Sequence, residues 1–82
     1  MNEKEVMEKI IELFSEITEK EEVTQDSELI EDLELTSIEV FTLLADLEAI
    51  FDIVIPEKMI RRMGTINDVK DVVMELMEAR GK

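Results

Sequence analysis

The stretch Thr36-Ser37-Ile38-Glu39 has the form of a capping box. In such a box the Thr36 hydroxyl accepts from the backbone N–H three residues on, while the Glu39 carboxylate reaches back to the N–H of Thr36. Ser37 then becomes the first helical residue, with its hydroxyl near the positive end of the helix dipole. A serine so placed is exposed and open to covalent modification. The plainer role, a surface or capping hydroxyl, uses the same position. Two further serines offer less. Ser15 falls inside a helical pattern, and Ser27, in Asp26-Ser27-Glu28-Leu29, is followed by too few helix-periodic residues to open a helix, so Asp26 or Ser27 reads as the cap of a single turn.

Other chemistry is largely excluded by what the chain lacks. With no Cys and no His among 82 residues, thiolate sites, disulfides, the commonest general base and the commonest metal ligand are all missing. The acids from Asp26 to Asp32 do not form a calcium loop, because no glycine stands at the sixth position and no alternating run of oxygen ligands follows. No catalytic or metal site is expected, and the chain does not read as an enzyme.

The net charge is −13, and it is unevenly spread. From Glu21 to Glu57 there are twelve acidic residues and no Lys or Arg. Such a surface repels nucleic acid and anionic membranes. It suits partners with basic patches, met through salt-sensitive electrostatic steering, although solubility alone would also account for it. No apolar run is long enough to cross a bilayer and the N-terminus lacks the pattern of a signal peptide, so a cytoplasmic protein without membrane insertion is expected.

The elements that position Ser37 follow from apolar spacing. Asn2, with Glu5 three residues later, caps a first helix over roughly residues 3–19, whose inward face is Val6, Ile10, Leu13, Phe14 and Ile17. Periodicity fails from Lys20 to Leu35, a connection long enough that it must be pinned or functional, with Leu29, Ile30, Leu33 and Leu35 as anchors. A second helix over about 37–51 carries Val40, Leu43, Leu44, Leu47, Ile50 and Phe51 as a buried stripe. Its opposite side gathers Ile38, Phe41, Ala45 and Ala49 between Glu39, Asp46 and Glu48, an apolar strip with acidic borders. That is the form of a docking face, and Phe41 fits either docking or packing against the loop or third helix. Asp52 to Pro56 read as an extended connector that buries Ile53 and Ile55. Pro56 opens a short helix that continues through Glu57 to Arg62, with Met59, Ile60 and Met63 inward. Thr65 and Asp68 cap a last helix carrying Ile66, Val69, Val72, Val73, Leu76 and Met77 to about Ala79, after which Gly81 and Lys82 should fray. The expected fold is all-α: a small four-helix bundle, three longer helices and one short, with a long loop between the first and second, forming one domain over residues 1–82 and acting as a monomer.

Glu31-Asp32-Leu33, Ser37-Ile38, Glu48-Ala49-Ile50-Phe51, Asp52-Ile53-Val54-Ile55-Pro56 and Thr65-Ile66-Asn67-Asp68-Val69 occur in an order and at spacings that resemble the acyl carrier protein family. The resemblance runs from about Asp26 to Met77. It departs from the family pattern at Thr36, where the family usually has Asp, at Ile38, where it has Leu, and at Glu34, where it often has Gly. The resemblance implies a covalent 4′-phosphopantetheine arm, derived from coenzyme A, on Ser37, and acyl groups held on it as thioesters for fatty acid or related acyl biosynthesis. It implies as partners a phosphopantetheinyl transferase and acyl-transferring and condensing enzymes with basic docking patches. Asp32, Glu34, Glu39, Asp46 and Glu48 would steer these partners, with Ile38 and Phe41 as the apolar contact. Glu39→Lys or Asp46→Lys should then slow association with little effect on folding. Two alternatives stand beside this: a carrier of amino acids or polyketide-type acids, and an unmodified acidic adaptor for a basic protein.

Overall fold

The computed structural model describes residues 2–80; the expected fraying of Gly81 and Lys82 lies outside them. Four helices follow in order: α1 (Glu3–Thr18), α2 (Ser37–Phe51), α3 (Glu57–Ile60) and α4 (Ile66–Arg80). No helix among the described residues is long and apolar enough to cross a membrane.

The starts of α1, α2 and α4 are fixed by the caps their sequences encode. The Asn2 side chain accepts from the Glu5 N–H at 2.9 Å, opening α1. At α4 the Thr65 hydroxyl accepts from the Asp68 N–H, while the Asp68 carboxylate accepts from the N–H groups of both Thr65 and Gly64. Pro56 stands just before α3 in extended conformation, so it precedes the helix rather than forming its first residue. The helix itself stops at Ile60, two residues short of the expected end. Arg61 and Arg62 pass into a turn toward Gly64.

The core is continuous. Val6, Ile10 and Phe14 of α1, Leu43, Leu44, Leu47 and Phe51 of α2, Met59 of α3, and Ile66, Val69, Val72 and Val73 of α4 are buried together with Ile53 and Ile55 of the connector. Leu13, Ile17, Val40, Ile60, Met63, Leu76 and Met77 pack against it half-buried. Ile50, expected in the buried stripe of α2, is 44% exposed. At this last turn of α2 the facing surface is the polar side of α1, where Lys9, Glu12 and Glu16 border a shallow hollow, so only part of Ile50 is covered.

The long connection is pinned, as its length demanded. Leu29 donates its N–H to the Gly64 carbonyl, and Ile66 and Asn67 donate to the carbonyls of Ser27 and Gln25, stitching the loop to the α3–α4 turn. Val23, Leu29, Leu33 and Leu35 anchor it in the core, but Ile30 is 64% exposed. The Glu28–Leu33 turn accounts for this correction: it is closed by N–H groups of Asp32 and Leu33 on the Glu28 carbonyl, and it sends neighbouring Leu29 and Ile30 to opposite sides. The Asp32 carboxylate also accepts from the Glu28 N–H at 2.8 Å. Ser27 caps a separate turn, its buried hydroxyl accepting from the Thr24 N–H.

Lys70 is buried on α4, its ammonium held by Glu3 of α1 at 2.9 Å and by neighbouring Asp71 at 2.6 Å. The hydrogen bond from Lys70 to Asp71, followed by that to Glu3, holds the ammonium above its ordinary pKa of 10.5, against the opposing effect of burial. A raised pKa means that the folded state favours the charged form. The resulting stabilisation is complete below the unfolded value and is lost as pH rises through the folded one. Denaturant midpoints are therefore expected to fall on alkalinisation above about pH 10.5 in the wild type, and to fall less in Lys70→Met.

Candidate functional site

Thr36 and Glu39 form the reciprocal capping box: the Glu39 N–H donates to the Thr36 hydroxyl at 3.2 Å, and the Thr36 N–H donates to the Glu39 carboxylate at 3.0 Å. With the cap made by its neighbours, the Ser37 hydroxyl is not needed for it. Ser37 is the first residue of α2 and is exposed, whereas Ser15 is half-buried inside α1 and Ser27 is buried. Of the three serines, Ser37 alone offers an accessible nucleophilic oxygen.

Beside Ser37 lies a largely apolar hollow of about 290 Å³, lined by Leu29, Ile30, Val40, Phe41, Ile60 and Met63. The structure thus brings Ser37 and Phe41 to one depression, between the loop, α2 and the end of α3. Ile38 is 78% exposed and Phe41 65%, so Phe41 belongs to the surface and not to the core. Ile30, expected as a core anchor, instead lines this hollow. No spacing in the sequence marked it, since either neighbour in Leu29-Ile30 could have turned inward.

None of the five acids expected to steer partners lines this hollow, and four of them have internal partners. Asp32 holds the Glu28 N–H, and Glu39 holds that of Thr36. The Glu48 carboxylate accepts from the Ile55 N–H at 2.8 Å, fastening the connector to α2. Glu34 pairs with Lys20, which also donates to the Asp32 carbonyl. Asp46 has no ion pair among the described residues. Asp46→Lys is therefore the cleaner probe of charge, because Glu39→Lys would also break the capping box, contrary to the expectation of a small folding effect. In the loop, a hydrogen bond with Glu31 and the charge of that same neighbour raise the Glu28 carboxyl above the usual carboxylate range, a mark of crowded negative charge.

Glu34 has φ 54°, in the left-handed region where side chains are strained. The position often held by glycine in the resembled family therefore has the backbone conformation that favours glycine. Glu34→Gly is expected to raise stability by about 0.5–1 kcal/mol, since relief of strain exceeds the loss of an exposed ion pair. A lowered thermal midpoint would show instead that the Lys20 latch outweighs the strain.

Residues 8–73 match the family model described as a phosphopantetheine attachment site. The chain belongs to the acyl carrier protein family. An acyl carrier protein from Borreliella burgdorferi (strain ZS7) is 35% identical over 75 residues, covering 89% of this chain and 94% of that protein. One from Rubrobacter xylanophilus is 30% identical over 77 residues, covering 92% and 95%. One from Coprothermobacter proteolyticus is 31% identical over 55 residues, covering 67% of each chain. Acyl carrier proteins are carriers rather than enzymes, and their cofactor is a covalently attached 4′-phosphopantetheine. A carrier of this family works with a phosphopantetheinyl transferase and with acyl-processing enzymes.

Proposed function

We propose that Ser37 carries the 4′-phosphopantetheine arm, and that the chain uses it to present acyl groups to enzymes of fatty acid or related acyl biosynthesis. The observation that carries this reading is that Ser37 is the exposed serine, on the first residue of a helix whose cap is already satisfied. Its surroundings fit the group. The N–H groups of Ser37 and Ile38, which the capping box leaves without an acceptor among the described residues, favour a phosphate there, and the apolar hollow beside it offers cover to an alkyl chain.

In the attachment step the Ser37 hydroxyl oxygen attacks the pantetheine-bearing phosphorus of coenzyme A. A phosphodiester forms, the phosphoanhydride bond breaks, and 3′,5′-adenosine diphosphate leaves. The serine proton passes to a general base of the transferase. The arm supplies a terminal thiol that holds acyl groups as thioesters. The protein contributes position: Thr36 and Glu39 fix the helix start, while the pinned loop holds Leu29 and Ile30 beside Ser37.

Asp32, Glu34, Glu39, Asp46 and Glu48 steer basic partner surfaces toward this end of the molecule, and Ile38 and Phe41 supply the apolar contact. Loading the arm-bearing protein with a fatty acid, using an acyl-carrier synthetase and ATP, tests the cargo. The expected product gains one acyl mass, which neutral hydroxylamine removes while the arm remains. An acyl mass resistant to hydroxylamine, or none, would overturn the thioester assignment.

A further inference from the structure

Three of the nine basic residues lie in the five-residue stretch Lys58-Met59-Ile60-Arg61-Arg62, directly after the acidic run from Glu21 to Glu57. Arg62 is neutralised by Glu75 of α4 at 3.0 Å and also donates to the Met59 sulfur. Lys58 and Arg61 are exposed and have no ion pair among the described residues. Arg61 lines an open groove of about 580 Å³ between α2 and α3, whose apolar floor includes Phe41, Ala45 and Ile60 and whose carboxylates are Glu48 and Glu57. The groove lined by the exposed Phe41 ring thus holds an unpaired guanidinium as well as the carboxylates of Glu48 and Glu57.

We infer that the docking face carries both signs, and that the condensing enzyme which fits it sets basic residues against α2 and a carboxylate against Arg61 and Lys58. The inference rests on the docking reading given above and adds the sign change to it. Charge complementarity is the argument. A uniformly basic enzyme patch spanning the groove would meet the unpaired Arg61 guanidinium, with Lys58 three residues before it in the chain, and like charges brought together in an interface are strongly disfavoured. A patch that ends in a carboxylate gains from both, and the bidentate geometry of a guanidinium makes Arg61 the more selective of the two cations. The paired signs also fix orientation. A face of one sign can be approached in several rotations, whereas a two-signed face sets Ser37 at a defined end of the enzyme groove.

The test uses the acylated protein and the condensing enzyme from the same genome, with KM measured for wild type, Arg61→Glu, Arg61→Gln, Lys58→Glu and Asp46→Lys at low ionic strength and in about 0.5 M salt. Arg61→Glu is expected to raise KM about tenfold at low salt with kcat unchanged, Arg61→Gln to raise it less, and the differences to shrink in high salt. If Arg61→Glu lowers KM or leaves it unchanged while Asp46→Lys raises it, the face has one sign and this inference fails, with the docking reading intact. If Asp46→Lys is also without effect, the docking reading fails with it. Circular dichroism of each variant separates these outcomes from misfolding.

Discussion

Phe14→Ala is expected to lower the free energy of unfolding by about 3–5 kcal/mol. Phe14 is 2% exposed and is among the largest fully buried side chains. Removing its ring deletes apolar burial and leaves a cavity that the surrounding α2 and α4 side chains cannot fill without moving. For a chain of this length the whole stability is about 4–12 kcal/mol, so the substitution removes a large share of it and, at the low end of that range, unfolds the chain. Phe41→Ala provides the contrast. The same change at a 65% exposed ring should shift stability by less than about 0.5 kcal/mol, while weakening partner association. Urea unfolding followed by circular dichroism measures both, and equal losses at the two positions would contradict the division between core and docking face.

Thr36→Ala is expected to cost about 1–2 kcal/mol, a large effect for an exposed position. The substitution removes the acceptor for the Glu39 N–H and leaves the Glu39 carboxylate as half of a broken pair. Because Ser37 follows directly, fraying of the first turn also loosens the backbone that presents its hydroxyl, so modification by the transferase should slow. Thr36→Asp restores an acceptor at the cap and adds a negative charge beside the positive end of the helix, and it is expected to match or exceed wild-type stability. Thermal midpoints of the two variants check the argument. A wild-type midpoint for Thr36→Ala would mean that packing of Leu43, Leu44 and Leu47 alone holds the helix start.

The capping motifs were the most legible part of the sequence, because each depends on side chains within three residues of the backbone they satisfy. Asn2, Thr36 with Glu39, and Thr65 with Asp68 all act as their spacing implied. The inward faces of α1 and α4 were legible for a similar reason, since helical periodicity is local. Ile50 and Ile30 were misplaced because periodicity and apolarity say which side of an element is greasy, not what lies opposite. A polar edge of α1 faces the first, and a turn directs the second outward. The Lys70 cluster was also hidden, as its Glu3 partner is 67 positions away in the chain. At the candidate site, the accessibility of Ser37 followed from the capping box. The hollow beside it did not, because it joins residues from the loop, α2 and the α3 end that no single periodicity connects. The acids read as steering charges have a second use that spacing could not show, since Asp32, Glu39 and Glu48 each satisfy a backbone N–H. Family membership favours the carrier over the unmodified adaptor that charge alone allowed.

Whether Ser37 holds the arm is decided by intact mass. Wild type, Ser37→Ala and Ser27→Ala would each be incubated with coenzyme A and a promiscuous phosphopantetheinyl transferase, with folding checked by circular dichroism. One added phosphopantetheine is expected on wild type and on Ser27→Ala, and none on Ser37→Ala. An arm on Ser37→Ala, or no arm on the folded wild-type protein, would contradict the assignment to Ser37.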